Sequence, residues 1–395
     1  MNKKGIFMGG FILLLLLIIG GMKWLMNQQT NQEEPAASVQ TSSSTSSASS
    51  SSESTASVEE EPTIADQMAH MSLEEKVGQL FFVRVPEINQ LEDIRDYHLG
   101  GYLLFGRDTE NETAESLKQK IRDYQKASTI PLLIGMDEEG GTVTRISRNP
   151  ALVPAPFLSP QQLYQQGGWQ AVDEDTAQKA AIFHDYGIST GLFPVADVST
   201  DPHSFIYDRT IGLDAAGTSE FVRRTVAVLK ENQIGSTLKH FPGYGNNRDS
   251  HVEIVTDDRS LKELETKDFL PFEAGIKAGA DSILVSHNIV TSIDASVPAS
   301  ISKPVHELLR NQLNFKGVIM TDDMDMAGLA DFISQSEAGL KALEAGNDLV
   351  MSSTYQQQIP VIIAAIKQGD YSEKALDASV KRVLEWKASL GLINE

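Results

Sequence analysis

The chain contains no cysteine among its 395 residues. That excludes disulfides, thiolate metal sites, a cysteine nucleophile and a lipid-bearing cysteine, although it does not fix the redox compartment. Positive charge is scarce as well. With 33 Lys and Arg against 54 Asp and Glu the formal net charge is -21, and such a surface repels nucleic acid phosphates. There is no solenoid-type repeat and no second region with a hydrophobic pattern of its own. Charge is missing altogether from one stretch. Residues 5–22 are uncharged and mostly apolar, with Lys3 and Lys4 before them and Lys23 and Trp24 after.

That run is near the lower length limit for crossing a bilayer, and the leading lysines favour a cytoplasmic N-terminus with the remainder exported. Its apolar stretch is long for a cleaved signal peptide, and no Ala-x-Ala site closely follows Met26. The expectation is an uncleaved membrane anchor over residues 1–26, giving a single-pass protein of the cell membrane with its remaining part outside the cytoplasm. Residues 27–62 are rich in Ser, Thr, Gln, Ala and Glu. They have too little apolar surface to offset the entropy of ordering and are read as a disordered stalk. Such a stalk spans roughly 30 to 35 Å root-mean-square.

The folded part is expected over residues 63–395, and Ser72-x-x-Glu75 reads as a capping box near its start. Short apolar runs recur at residues 80–85, 102–105, 131–136, 191–195, 234–238, 282–285, 317–320 and 348–351. Helical periodicity lies between most of them, at 113–126, 175–185, 219–231, 261–278, 305–313 and 337–344, and a closing helix is expected at 372–390. Eight strands alternating with helices predict an α/β fold, a (β/α)8 TIM-type barrel forming a single catalytic domain, with a doubly wound open sheet as the alternative. The polar residues favour the barrel. Asp137, Asp197, Lys239-His240, Ser286-His287 and Asp322-Asp323 each end a different apolar run, and a barrel brings such ends to one face.

The densest chemistry lies in residues 239–251, where two cations, two histidines, a carboxylate and two glycines follow an apolar run. Asp249, two residues before His251, is able to hold an imidazole for acid/base work near neutral pH. Asp137 ends its strand before Glu138, Glu139 and a glycine pair that allows close approach of a ligand, with Arg145 eight residues on. Glu138 reads as a solvated turn acid. Arg209 lies in the loop after the fourth strand, where a surface salt bridge is an equal reading. Asp322, Asp323 and Asp325 suit either metal binding, with His240, His251 and His287 as further ligands, or covalent catalysis by one Asp on an anomeric carbon. The metal reading ranks second, because neither a calcium-loop spacing nor a helical His-Glu-x-x-His is present.

These residues resemble glycoside hydrolase family 3. The segments 135–145 (GMDEEGGTVTR), 239–245 (KHFPGYG) and 321–324 (TDDM) look like its motifs, and Asp249-Ser250-His251 is similar to its β-N-acetylglucosaminidase branch. The likeness runs in order over about residues 72–392. It implies a retaining, metal-independent and cofactor-free double displacement with Asp322 as nucleophile and His251 as acid/base, oriented by Asp249 on a loop hinged by Gly243 and Gly245. It also implies that Asp137, Arg145, Arg209, Lys239 and His240 bind terminal N-acetylglucosamine. Tyr244 stands where many members have a second His, Thr142 replaces an Arg, and Arg209 is followed by Thr-Ile-Gly rather than Ser-Phe-Gly. The expected activity is exo-β-N-acetylglucosaminidase on peptidoglycan fragments, by a monomer. A family 3 β-glucosidase or phosphorylase, a metal-dependent hydrolase, and a non-catalytic wall-glycan-binding protein are the alternatives.

Overall fold

The computed structural model describes residues 63–248, 254–326, 329 and 332–394. The expected anchor and stalk, together with Asp249 and His251, lie outside the described residues. Among the described residues no helix is long and apolar enough to cross a membrane.

The fold opens with two capped helices. Thr63 caps Ile64–His70 and Ser72 caps Leu73–Gln79, each hydroxyl accepting the backbone N–H three residues on while an acidic side chain returns the bond. Among the described residues ten strands follow in sequence: β1 (Phe81–Arg84), β2 (Gly101–Leu104), β3 (Leu133–Met136), β4 (Thr190–Gly191), β5 (Thr237–Phe241), β6 (Thr256–Asp257), β7 (Ser282–Val285), β8 (Ile289–Val290), β9 (Val318–Thr321) and β10 (Val350–Met351). All ladders are parallel, in the orders β10-β1-β2-β3-β4, β5-β7-β9 and β6-β8. Isolated parallel bridges link Thr190 to Gly235, Val195 to Lys239 and Met320 to Leu349. Parallel pairing demands long crossovers, which is why helices separate the main strands and why these strands are apolar on both sides.

Each of the eight expected apolar runs contributes a strand, with two differences of note. The fourth run yields only Thr190–Gly191, since Pro194 removes a ladder donor. The fifth strand is Thr237–Phe241 instead of 234–238. Its expected first residue, Ile234, closes the preceding helix, its N–H bonding the Leu229 carbonyl at 3.0 Å after Gln233 takes φ 52°. Lys239 and His240 therefore lie inside the strand.

One helix is much longer than the periodicity predicts. The segment expected at 175–185 belongs to Pro160–Tyr186, which is interrupted at Gly168 (φ 62°); its Gln-rich first half carries little apolar pattern. The helix Tyr355–Gln368, with Pro360 inside it, was not anticipated. The closing helix is present as Glu373–Ser389 and buries Val380, Val383, Leu384 and Trp386.

Candidate active site

The C-terminal ends of β1, β3, β5 and β9 surround a cavity of about 230 Å3 whose walls include Arg84, Asp137, Arg145, Arg209, Lys239, His240, Asp322 and Asp323. Of the eight site residues expected from the sequence, six line this one cavity. Asp249 and His251 lie outside the described residues.

One wall is a network of alternating charges. Lys239 Nζ lies 2.6 Å from Asp137 Oδ1 and 2.5 Å from Glu139 Oε1. Arg209 donates to both Glu139 oxygens at 3.0 and 2.8 Å, and Arg145 reaches Asp137 Oδ2 at 3.2 Å. Burial alone would raise both carboxyls. For Asp137 the cations Lys239 and Arg145 outweigh it, for Glu139 Arg209 and Lys239 do, and each is held at about 2. Both carboxyls are therefore ionised at neutral pH, and the ion pairs fix the side chains' positions.

His240 continues this wall. Arg209 Nη2 approaches His240 Nε2 at 3.1 Å, and a guanidinium only donates. Nε2 is therefore the acceptor, and the proton sits on Nδ1, donating to Asp197 Oδ2 at 2.8 Å. Burial, aided by Arg209 and Lys239, keeps the imidazole well below its ordinary pKa and hence neutral. Asp197 also accepts the N–H groups of His240 at 3.1 Å and Tyr244 at 2.7 Å. Burial nonetheless pushes it up to about 6. Tyr244 packs edge-on against the His240 ring at 5.0 Å between centroids, with Phe205 on its other side at 5.0 Å. Tyr244 thus wedges the imidazole in place.

The opposite wall carries the two adjacent carboxylates. Asp322 is fixed by its backbone, whose N–H bonds the Val285 carbonyl at 2.9 Å, and its Oδ1 accepts the Asp323 N–H at 2.8 Å. Asp323 is tied otherwise: Arg84 pairs with its Oδ2, and the Asp325 N–H bonds its Oδ1 at 3.0 Å. Burial pushes Asp323 up to about 6 despite Arg84. Arg84 stacks over Phe105, 4.7 Å from the ring centroid. Asp323 is therefore engaged at both oxygens.

Several residues read differently in three dimensions. Glu138, taken as a solvated turn acid, is fully buried. It accepts the N–H groups of Arg145 and Ile146 at 2.8 and 2.9 Å and also pairs with Ser147. It folds the 138–147 loop on itself, because backbone donors away from water require an acceptor. Arg209 is a half-buried member of the network, paired with the buried Glu139, and not a surface salt bridge. Glu139 is one of several acids in a turn, and no linear pattern distinguishes it from Glu138. Arg84 could have been found, being a polar residue at the end of an apolar run like the others. His287, a suggested metal ligand, directs Nδ1 to Ser300 Oγ at 2.7 Å and Nε2 to the Asp323 carbonyl at 2.9 Å. Among the described residues no group of three His, Asp or Glu side chains is placed to hold a metal ion.

Residues 72–386 match the family described as Glycosyl hydrolase family 3 N terminal domain. The protein named beta-hexosaminidase LpqI of Mycobacterium tuberculosis is 30% identical over 332 residues, which cover 81% of this chain and 84% of that one. A beta-hexosaminidase of Xanthomonas campestris pv. campestris (strain B100) is 32% identical over 302 residues, covering 75% of this chain and 85% of that one. Among solved structures, the glycoside hydrolase family 3 beta-N-acetylglucosaminidase of Paenibacillus sp. superposes with a TM-score of 0.76 at 26% identity, over 82% of this chain and 63% of the Paenibacillus chain.

Proposed function

Because this chain belongs to glycosyl hydrolase family 3 and is a glycoside hydrolase of the β-hexosaminidase type, we propose that it is a retaining exo-β-N-acetylglucosaminidase removing terminal N-acetylglucosamine from peptidoglycan fragments. The observation that carries this reading is the cavity itself: a fixed network of paired charges on one wall faces Asp322 on the other.

In the proposed reaction Asp322 attacks the anomeric carbon and forms a glycosyl ester while the glycosidic oxygen leaves with a proton. The place of Asp322 on the cavity, its backbone held by the Val285 carbonyl, supports it as the attacking group. His251, oriented by Asp249, donates that proton and later takes one from water. Such a role suits an imidazole, whose pKa lies near neutrality. Asp137, Arg145, Arg209, Lys239 and His240 bind the sugar hydroxyls and N-acetyl group. Their mutual ion pairs support this role because they hold the donors and acceptors in position before the sugar arrives.

The two larger ladders and the bridges between them are read as one closed eight-stranded barrel. The segment 1–26 anchors the chain in the cell membrane and 27–62 holds the catalytic part outside the cytoplasm, acting as a monomer. Fractionation that found the protein in the soluble cytoplasm would end that part of the reading.

The test is turnover by the purified protein on an aryl N-acetylglucosaminide and an aryl glucoside, with and without phosphate, and on N-acetylglucosaminyl muropeptides. The expected result is phosphate-independent release of N-acetylglucosamine from the first substrate and from the muropeptides. Preference for the glucoside, acceleration by phosphate, or sugar binding without turnover would each replace it with a different reading.

A further inference from the structure

Gly243 and Gly245 begin the segment that leads to Asp249 and His251, and Thr256–Asp257 follows that segment as β6. Both ends converge on a single side chain. Arg259 donates from Nη2 to the Gly243 carbonyl at 2.6 Å and to Asp257 Oδ2 at 2.6 Å, and from Nε to Asp257 Oδ1 at 2.9 Å. Its Nη1 reaches Asp268 Oδ1 at 2.8 Å. Asp257 and Asp268 are both fully buried.

The two glycines are shaped to this clamp. Gly245 has φ 58°, and a Cβ there would lie 2.4 Å from Arg259 Nη1; Gly243 has φ 113°, and a Cβ there would lie 2.8 Å from Asp268 Oδ1. Left-handed backbone alone accounts for glycine at each position. The contacts add a second demand, that nothing stand between the chain and the ion cluster. The far end is held just as firmly. Asp257 pairs with Val290 in the β6–β8 ladder, and its carbonyl accepts the Thr291 N–H at 2.9 Å. Asp268 leads directly into the helix Phe269–Ala278, whose Phe269 and Phe272 pack on Phe241 of β5 at 5.5 and 5.1 Å.

We propose that Arg259 is a positioning residue for proton transfer, its guanidinium fixing both ends of the segment that carries Asp249 and His251 against the strand end that carries Lys239 and His240. The inference rests on the reading of His251 as the proton donor. A guanidinium suits this task because its planar fork engages Asp257 at both oxygens while its remaining N–H groups serve Gly243 and Asp268. A lysine places a single ammonium and has no such fork. Arg259 touches neither the cavity nor the reacting atoms, so its removal acts through the donor's placement.

The experiment compares kcat/KM across aryl N-acetylglucosaminides of rising leaving-group pKa for the unmodified protein, Arg259→Lys, Arg259→Met and His251→Ala. Poor leaving groups need the proton and activated ones do not, so a misplaced donor steepens the dependence on leaving-group pKa. The expected result is a loss of about 10- to 100-fold on the poorest leaving group and less than about threefold on the most activated one for Arg259→Met, a part of what general acid catalysis supplies. Arg259→Lys should give the same pattern at smaller amplitude, and it carries the test if the methionine variant does not fold. A steep dependence for His251→Ala with equal loss on every leaving group for both Arg259 variants would overturn the positioning role and leave the donor in place. A flat dependence for His251→Ala would overturn the donor reading, and the inference about Arg259 with it.

Discussion

Two buried lysines separate the working end of this molecule from the opposite one. Lys239, inside β5, lies between two carboxylates and faces the cavity. Lys387, in the closing helix, is also sealed from solvent, but its Nζ has a neutral partner, Gln79 Oε1 at 2.6 Å, just before β1 begins. Burial depresses Lys387 to about 7, so near neutrality it gives up its charge. The fold thus accepts a buried ammonium in two ways. At the cavity it supplies counter-ions; beside Gln79 it supplies one hydrogen bond and lets the proton leave.

That contrast is broken most severely at Asp322. Asp322→Asn keeps the shape of the cavity and is expected to lower kcat by at least about a thousandfold, with thermal stability close to that of the unmodified protein; initial rates and a melting curve read the two together. Next comes Lys239→Met, which removes the one cation that contacts both Asp137 and Glu139. Removing one partner from a buried ion network costs about 3 to 5 kcal/mol, measured by denaturant unfolding, and turnover should fall with it. Asp197→Ala should follow closely. It leaves the His240 ring donor and the N–H groups of His240 and Tyr244 without their acceptor, at about 1 to 3 kcal/mol for each buried donor left unsatisfied, and Asp197→Asn, which retains an oxygen acceptor, should lose less.

The smallest effect on turnover belongs to the other lysine, whose effect is on stability and is revealed by pH. The folded pKa of Lys387, about 7, lies below the value of about 10.4 expected for an unfolded lysine. Between these values the unfolded chain binds the extra proton. This group therefore makes stability rise with pH from about 7 to about 10, by up to about 1.4 kcal/mol per pH unit, and below pH 7 its destabilising effect is fully present. Lys387→Met should remove that slope while leaving kcat unchanged. The same slope in the variant would mean that Lys387 keeps its charge.

How far the sequence discloses this arrangement depends on whether a residue's role is local. Asp137, Lys239 and Asp322 were legible because each ends an apolar run, and parallel strands bring such ends together. Arg84 carries the same linear signal, a charge at a strand end, while its partner Asp323 is set only by the packed fold. Glu138 and Glu139 are neighbours with opposite fates: one satisfies backbone donors inside its own loop, the other binds Lys239 and Arg209 from distant segments. Only the packed loop distinguishes them. The shift of β5 has a similar origin. Ile234 is apolar both for a strand and for a helix end, and the left-handed turn at Gln233 decides between them.

The account turns on Asp322 as the group that bonds to the sugar. A fluorinated N-acetylglucosamine analogue with an activated leaving group, which forms the glycosyl ester faster than water removes it, followed by proteolysis and peptide mass mapping, tests this directly. The account predicts a single sugar adduct on the carboxylate of Asp322. An adduct on Asp323, or turnover of the analogue with inverted product and no adduct, would contradict it.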